Sequence, residues 1–209
     1  MDFRDMDKFY SFGSKFLSST FQAHAIGLNN KADDKGLYEH HKLLLGNYEG
    51  IDFPVVFKQE GGRKLLDILD TGTATLFLIS DFLRDVLEEH SFSGWETFPV
   101  RVLNKKGEEV TGYHGFSITG RCGEVDYSKC EIIEKQMAPN APIMKYYKGI
   151  YVGLDKWDGS DFFMPQKYFG TIVSQKVRDV LTDKKLTNLE LVKLANIETP
   201  EFALQGSGS

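Results

Sequence analysis

Two stretches of this chain, 94 residues apart, repeat the same strand-helix-strand pattern. The first begins with the apolar run 76–79 and continues into a helical pattern at Ser80, and the second begins with 171–173 and continues at Ser174. The two stretches align without a gap and share these pairs: Ser80 with Ser174, Arg84 with Arg178, Asp85 with Asp179, Val86 with Val180, Leu87 with Leu181, and Glu96 with Glu190. The sequence therefore predicts a duplicated unit, near residues 76–103 and again near 171–194.

Both units have the features of a short amphipathic helix. A serine at the helix start can accept a hydrogen bond from a backbone N–H that has no partner within the helix. Apolar residues follow at the spacing of one helix face. These residues are Phe82, Leu83, Val86 and Leu87 in the first unit, and Val177, Val180 and Leu181 in the second. We expect these faces to be buried.

The segment between the two units is the most strand-like part of the chain. It contains short extended patterns, including 113–118 and 161–164, separated by turn residues such as those at 104–107. It lacks the regular alternation of strands and long helices that is typical of parallel α/β sheets. The pattern predicts an α+β fold in which short helices pack on a mixed, largely antiparallel sheet.

We expect one main domain over residues 65–200, because no linker rich in Pro and Gly divides its central part. Residues 1–64 have the least regular pattern, and we expect them to pack on the main domain as an N-terminal segment. The last residues, 201–209, are rich in Gly and Ser and are expected to form a flexible tail.

Composition limits the functional classes. The chain has 209 residues, 41% of them hydrophobic, so it can bury a core without disulfides or metal. Cys122 and Cys130 lack the paired short spacing of a zinc site and are expected to be reduced thiols. Without a secretory signal pattern or a long apolar segment, we expect a soluble, cytoplasmic protein. A net charge of −5 disfavours a nucleic-acid ligand and is compatible with a basic protein partner.

Sequence patterns of the common enzyme classes are missing. The chain has no phosphate-binding loop, no H-E-x-x-H zinc motif and no G-x-S-x-G nucleophile motif. The only candidate nucleophile is Cys122 or Cys130 with His114 as its base. A site with paired acid and base carboxylates is an alternative that the sequence leaves open. We expect no cofactor and no metal. An uncharacterised, hydrolase-like enzyme with a carboxylate or histidine site is the alternative interpretation.

Four motifs resemble a known family: 79–87 (apolar-Ser-x-x-Leu-Arg-x-x-Leu), 94–100 (Gly-x-Glu-x-x-Pro-Val), the Tyr-led strand 113–118, and Val-Asp-Tyr at 125–127. Together with the second unit, they make the chain similar to a bacterial family of immunity proteins from polymorphic toxin systems. That family is numbered eleven and was earlier catalogued as a domain of unknown function. The resemblance covers roughly residues 65 to 195. One difference between the units is that Asn188 stands where the first unit has Gly94.

The resemblance implies a small protein, not an enzyme, that binds a cognate bacterial toxin and neutralises it by covering its active site or surface. Such binding needs a few aromatic or Arg anchors with a polar rim. Our candidates for contact with the toxin are an aromatic, acidic turn (Trp157, Asp158 and Asp161) and the adjacent pair Tyr146 and Tyr147. From the net charge and the lack of a long apolar segment, we expect no nucleic-acid or membrane partner.

Overall fold

The structure is a computed structural model that describes residues 3–15, 17–29, 31–34, 36–73, 75–136 and 138–201. The helices are α1 (Glu39–Leu44), α2 (Asp81–Glu89) and α3 (Gln175–Asp183). The strands are β1 (Phe9–Ser14), β2 (Gln22–Ile26), β3 (Val55–Gly61), β4 (Ile68–Asp70), β5 (Phe77–Ser80), β6 (Trp95–Phe98), β7 (Val100–Leu103), β8 (Glu109–Val110), β9 (Tyr113–Ile118), β10 (Gly120–Cys122), β11 (Glu131–Gln136), β12 (Ile143–Lys148), β13 (Phe162–Pro165), β14 (Ile172–Ser174), β15 (Leu189–Lys193) and β16 (Glu198–Pro200). No helix in the described residues has both the length and the apolar composition needed to cross a membrane.

The strands form four sheets in the described part of the chain. Their strand orders are β4-β5-β9-β6, β10-β13-β14-β1-β15, β2-β3-β7-β8 and β11-β12-β16. Two strand pairs, β3 with β7 and β10 with β13, are parallel, and the other pairs are antiparallel. The predicted α+β class, with short helices and largely antiparallel sheets, is confirmed.

The helices α2 and α3 occupy matching positions in two of these sheets. Strand β9 lies between β5 and β6, and β1 lies between β14 and β15, each pairing antiparallel with both neighbours. The register matches as well, since Ser80 lies opposite Tyr113 and Ser174 lies opposite Phe9. The central strand of the second arrangement therefore comes from the N-terminal segment. A duplication as the origin of the two arrangements stays a prediction.

Asp67 connects the start of α2 to the turn after α3. Its Oδ1 accepts a hydrogen bond from Ser80 Oγ at 2.8 Å, and its Oδ2 accepts from Thr187 N at 2.8 Å and from Thr187 Oγ1 at 2.6 Å. Ser80 also caps α2, because its Oγ accepts from Leu83 N at 3.1 Å. The first helix start is thus tied to the second strand-helix-strand arrangement.

Asp161 makes the corresponding contacts with the two arrangements exchanged, since it connects the start of α3 to the turn after α2. Its Oδ1 accepts from Ser174 Oγ at 3.2 Å, and its Oδ2 accepts from Ser93 N at 3.1 Å and from Ser93 Oγ at 3.3 Å. Ser174 caps α3 through Val177 N. Each aspartate therefore holds the start of its own helix and the turn that follows the other helix, which makes the two arrangements mutually dependent.

Gly94 and Asn188 occupy equivalent turns with positive φ angles, 84° and 62°. A Cβ at Gly94 would lie 2.0 Å from the carbonyl oxygen of Phe162. At Asn188 the side chain fits, because its Nδ2 donates to the carbonyl oxygen of Ile68 at 2.9 Å. The replacement of Gly by Asn in the second arrangement is thus compatible with the same backbone, because Asn tolerates positive φ better than most residues.

Most buried apolar residues form one large core that includes residues from both arrangements. Helix α2 contributes Leu83, Val86 and Leu87, whereas Phe82 is 50% exposed. The prediction that Phe82 faces inward is wrong, because it lies about 100° around the helix from Leu83, at the margin of the buried stripe. Of the predicted tail 201–209, only Glu201 is among the described residues. The boundary at residue 64 stays a prediction.

Candidate protein-binding surface

Trp157 lies in the smaller of the two cores. Its ring centroid is 5.3 Å from that of Phe9 and 5.4 Å from that of Phe163, and its Nε1 donates to the carbonyl oxygen of Ser160 at 3.1 Å. The indole is half-buried. It therefore packs and stabilises the turn, and its surface for a partner is reduced.

Asp158 is engaged in the same turn. Its carboxylate accepts from Arg121 N at 2.7 Å, from Ser160 N at 3.0 Å, and from the Ser160 hydroxyl. Partial burial opposes ionisation, but the hydrogen bonds from Ser160 and Arg121 hold the pKa of Asp158 below its ordinary value. Asp161 contacts Ser93 and Ser174, as described above. The structure thus brings three predicted contact residues together, but it uses their polar atoms within the fold.

Tyr146 and Tyr147 lie elsewhere, on the central strand of the three-stranded sheet β11-β12-β16. None of the residues in these three strands is fully buried. Adjacent residues of a strand point to opposite faces, so the two tyrosines belong to different faces. Two of the five predicted contact residues therefore lie on a sheet whose side chains are largely accessible.

One face of this sheet, which we call the outer face, carries the most exposed large apolar side chains of the described residues. Residues directly opposite in an antiparallel pair share a face, and Ile132 pairs with Tyr147 while Gln136 pairs with Ile143. Ile132 is 60% exposed and Ile143 is 66% exposed. The outer face consists of Ile132, Glu134, Gln136, Ile143, Lys145, Tyr147 and, opposite Tyr147 on β16, Thr199.

The opposite face, which we call the ion-pair face, carries internal charge contacts. Lys135 forms an ion pair with Glu198 and lies 5.8 Å from the ring centroid of Tyr146. Lys148 Nζ lies 3.5 Å from Glu131 Oε2. These contacts cover part of the Tyr146 ring and leave it half-buried. The outer face is therefore the more available of the two for another protein.

The sheet also presents an edge. Strand β11 has six residues, Glu131–Gln136, and pairs only with β12 among the described strands. An edge strand of this length exposes a row of backbone N–H and C=O groups that another chain can pair with. The charged side chains of Glu131, Glu134 and Lys135 restrict which strands can approach.

His114, the histidine considered for catalysis, is tied to helix α2. Its Nε2 lies 2.7 Å from Asp81 Oδ1 and 2.7 Å from Arg84 Nη1. The hydrogen bond with His114, and then the charge of Arg84, hold the pKa of Asp81 below its ordinary value despite partial desolvation. This cluster joins the first turn of the helix to strand β9.

In the second arrangement, different side chains make the equivalent contact between the helix and the sheet. Tyr10 takes the place of His114, and its hydroxyl donates to Gln175 Oε1 at 2.7 Å. The guanidinium of Arg178 lies 5.4 Å from the Tyr10 ring centroid. Because a Tyr–Gln pair makes the same connection between helix and sheet as the His–Asp pair, the cluster at His114 is explained as a structural contact.

The two thiols are poor nucleophiles. Cys122 is 1% exposed, and its burial, followed by the charge of Asp158, raises the pKa of the thiol to about 12. Burial also raises the pKa of Cys130, whose Sγ lies 2.9 Å from the carbonyl oxygen of Gly149. Within the described residues, no group of three or more His, Cys, Asp or Glu side chains is arranged to hold a metal ion.

Sequence reasoning missed Ile132 and Ile143. The signal was present, because each isoleucine stands in a short segment rich in charged residues, EIIEKQ and IMKYYK. Trp and Tyr are enriched among interface anchors, so the sequence favours aromatic residues over isoleucines. Whether Ile132 and Ile143 are covered depends on tertiary packing. The local sequence pattern does not specify that packing.

Comparison with known families gives a match to the model of an immunity protein family, Imm11, over residues 20–196. The match includes α2, α3 and strands β11 and β12. No curated protein matches the chain.

Proposed function

The chain belongs to the immunity protein family Imm11, and from that premise we propose that it binds a cognate bacterial toxin and neutralises it. The toxin is part of a polymorphic toxin system used in competition between bacteria. The immunity protein acts in the cytoplasm of the producing cell, where it meets any toxin that enters. It works by covering the active site or an essential surface of the toxin, and it is not an enzyme.

The single observation that supports this role most strongly is the family match over residues 20–196. Inhibition by coverage needs no reactive group. It needs a rigid surface whose shape and charge fit the partner and whose apolar centre is desolvated on binding. His114 is engaged in the fold, and burial raises the pKa of both thiols, which agrees with inhibition by binding.

We assign the toxin contact to the outer face. Its two exposed isoleucines lie on either side of Glu134 and Lys145, which are directly opposite each other. This arrangement gives apolar anchors next to a pair of opposite charges. Apolar anchors supply most of the binding free energy at an interface, and the surrounding charges favour the correct partner over others. Tyr147 lies on the same face and adds an aromatic group.

The test is co-expression with the toxic domain encoded beside this chain. The wild-type protein is expected to restore growth and to form a complex that can be isolated. The variant Ile132→Asp/Ile143→Asp places charge on the outer face and is expected to weaken binding by at least about a hundredfold, because two desolvated apolar anchors are lost. Protection should fall in parallel.

The matched control is Phe82→Asp/Ile26→Asp. These residues are 50% and 48% exposed and lie outside the outer face. The control is expected to bind and protect like the wild type, and both variants should keep the wild-type melting temperature within a few degrees. Failure of the wild type to bind or protect would contradict the proposed function. Equal binding by all three proteins would contradict only the assignment to the outer face.

A further inference from the structure

A second surface of the protein is a groove between two loops. One cavity, of about 540 Å³, is lined by Gln59, Arg63, Leu65 and Lys105, together with neighbouring residues. An adjacent cavity of about 340 Å³ also includes Gln59, Arg63 and Lys105, and adds Lys64. Because the two cavities share three lining residues, we treat them as one groove.

The side chains around this groove are strongly basic. Four cations line it, and all four are exposed: Arg63, Lys64, Lys105 and Lys106. In the described part of the chain, none of the four forms an ion pair. The one lining carboxylate, Glu108, accepts a hydrogen bond from Asn104 Nδ2 at 2.7 Å. The groove therefore has a local positive charge that is not neutralised within the chain.

The two walls are held at a fixed separation. Gln59 extends between them, and its Nε2 donates to the carbonyl oxygen of Gly62 while its Oε1 accepts from Lys105 N at 3.1 Å. The Arg63 wall is attached to the body of the protein, since Arg63 N and Lys64 N both donate to the carbonyl oxygen of Ser19 at 2.9 Å. A preformed site loses less conformational entropy on binding than a flexible one.

A glycine makes this attachment possible. Gly62 has φ +57°, and a Cβ there would lie 1.7 Å from the carbonyl oxygen of Thr20. The opposite wall is a tight turn in which Asn104 Oδ1 accepts from Lys106 N at 2.8 Å and from Glu108 N at 3.0 Å. Both walls thus have a defined backbone conformation.

The groove also has an apolar part. Leu65 is 49% exposed, and Phe21 and Val110 complete the apolar part of the lining. A ligand that fits this chemistry carries carboxylates that reach the four cations and an apolar side chain that covers Leu65. An extended polypeptide segment with alternating acidic and apolar residues has these groups at suitable spacing.

The charge of the whole chain favours a short acidic peptide over a nucleic acid. The net charge is −5 although the groove is basic, so the surface outside the groove is more acidic than the total suggests. A long polyanion extends beyond the groove and is repelled there, whereas a short peptide interacts mainly with charges within a Debye length of about 10 Å.

We propose that this groove is a second binding site, which takes an extended, acidic polypeptide segment with an apolar residue at its centre. The inference goes beyond the immunity role, because it concerns a different surface from the outer face. Its test uses the full chain and a synthetic peptide without any toxin, so its failure is distinguishable from failure of the proposed function.

The probe is a fluorescein-labelled peptide of alternating Glu and Leu, titrated with the protein and followed by fluorescence anisotropy. Saturable binding is expected at low salt, and it should weaken as salt is raised toward about 0.5 M, because exposed charges are screened. A peptide with Gln in place of Glu is expected to bind at least about tenfold more weakly. Equal binding of both peptides, or no saturable binding, would overturn the proposal.

The variant Arg63→Glu/Lys105→Glu is expected to bind the acidic peptide at least about tenfold more weakly than the wild type. The matched control, Lys156→Glu/Lys193→Glu, makes the same change in net charge at exposed lysines outside the groove lining. It is expected to bind within about twofold of the wild type. Equal loss in both variants would mean that only net charge matters, and would overturn the site.

Two further measurements separate the alternatives. Gln59→Leu keeps all four cations but removes both hydrogen bonds between the walls, and it is expected to weaken binding about threefold. Unchanged affinity would show that the groove as described is not the binding site. A labelled oligothymidylate of the same length tests the polyanion alternative. Tighter binding of this oligonucleotide than of the acidic peptide would overturn the proposed ligand class.

Discussion

Asp67 and Thr187, which are 120 residues apart in the chain, are joined by three hydrogen bonds. Thr187 donates to the Asp67 carboxylate through both its N–H and its hydroxyl, and Thr187 Oγ1 accepts from Asp67 N at 2.9 Å. Asp161 and Ser93 form the corresponding contact 68 residues apart. These two contacts join the strand-helix-strand arrangements to each other, so we expect their loss to lower the free energy of unfolding.

Loss of the Asp67 carboxylate is expected to destabilise the protein. Asp67→Ala should lower the free energy of unfolding by about 2–3 kcal/mol and Thr187→Val by about 1–2 kcal/mol, since each leaves polar groups without partners. The double variant should show a coupling of about 1 kcal/mol in urea unfolding. Asp85→Ala, whose side chain is 62% exposed, is the control and should change stability by less than about 0.5 kcal/mol. Additive effects of Asp67→Ala and Thr187→Val would contradict the contact.

Gly94→Ala tests whether the turn after α2 needs the space as well as the backbone angle. The new Cβ would lie 2.0 Å from the carbonyl oxygen of Phe162, so we expect a loss of more than about 3 kcal/mol in chemical unfolding. Gly107 has nearly the same φ, +83°, and nothing within 4 Å of its Cβ position. Gly107→Ala should therefore cost only about 1 kcal/mol. Similar losses at the two positions would mean that the close approach at Gly94 is unimportant.

Trp157→Ala is expected to destabilise the protein. The indole contacts Phe9 and Phe163, and its removal should lower the free energy of unfolding by about 2–3 kcal/mol. Phe82→Ala, which truncates a side chain that is 50% exposed, should cost less than about 1 kcal/mol. Thermal unfolding of both variants measures the difference. A Trp157→Ala variant as stable as the wild type would restore this residue as a free contact anchor.

The pH dependence of stability should be reduced by His41→Phe. Burial, followed by the charge of His40, holds the pKa of His41 below its ordinary 6.5, and its Nδ1 has no hydrogen-bond partner in the described residues. The unfolded chain therefore binds the proton more readily, so stability is full above 6.5 and falls as the pH decreases below that value. Phe cannot take up a proton, and it can keep the stacking on Phe169 at 4.0 Å.

We expect His41→Phe to be more stable than the wild type by about 1 kcal/mol at neutral pH, because it removes the buried Nδ1. Its advantage should increase as the pH is lowered toward about 5. Urea unfolding across this range provides the measurement. An advantage that stays constant with pH would show that His41 does not contribute to the pH dependence.

The two thiols should differ in reactivity. Cys122, with a pKa raised to about 12 by burial and by the charge of Asp158, should resist alkylation by iodoacetamide in the native protein at neutral and mildly alkaline pH. Cys130 is only partly buried and should react slowly. Both should react rapidly in urea. Peptide mass spectrometry identifies the modified residue, and native labelling of Cys122 at the rate found in urea would contradict its burial.

Local sequence signals predicted the features that depend on short-range chemistry. The helix starts at Ser80 and Ser174 are predictable because each serine hydroxyl can accept a hydrogen bond from the backbone N–H three residues later. Both caps are present. The α+β class follows from short strand patterns and two short amphipathic helices. These features were predictable because all their atoms lie within a few residues of each other.

Tertiary packing decided which apolar side chains are covered. Trp157 is half-buried because Phe9, far away in the chain, lies against it. On the outer face, Tyr127 packs against Tyr147 with ring centroids 5.9 Å apart, whereas Ile132 and Ile143 stay exposed. Hydrophobicity measures the preference of a side chain for burial, but it does not specify the partner that covers it.

The basic groove and the reciprocal aspartate contacts depend on the same long-range information. Arg63 and Lys105 come together because β3 leads into one wall and the turn after β7 forms the other, with Gln59 between them. Sequence by itself determined the helix caps, the strand patterns and the family resemblance, because these depend on residues that are close together in the chain. Only the tertiary structure decided which side chains share a surface, because chain segments that are distant in sequence must first pack before their charges and apolar groups can meet.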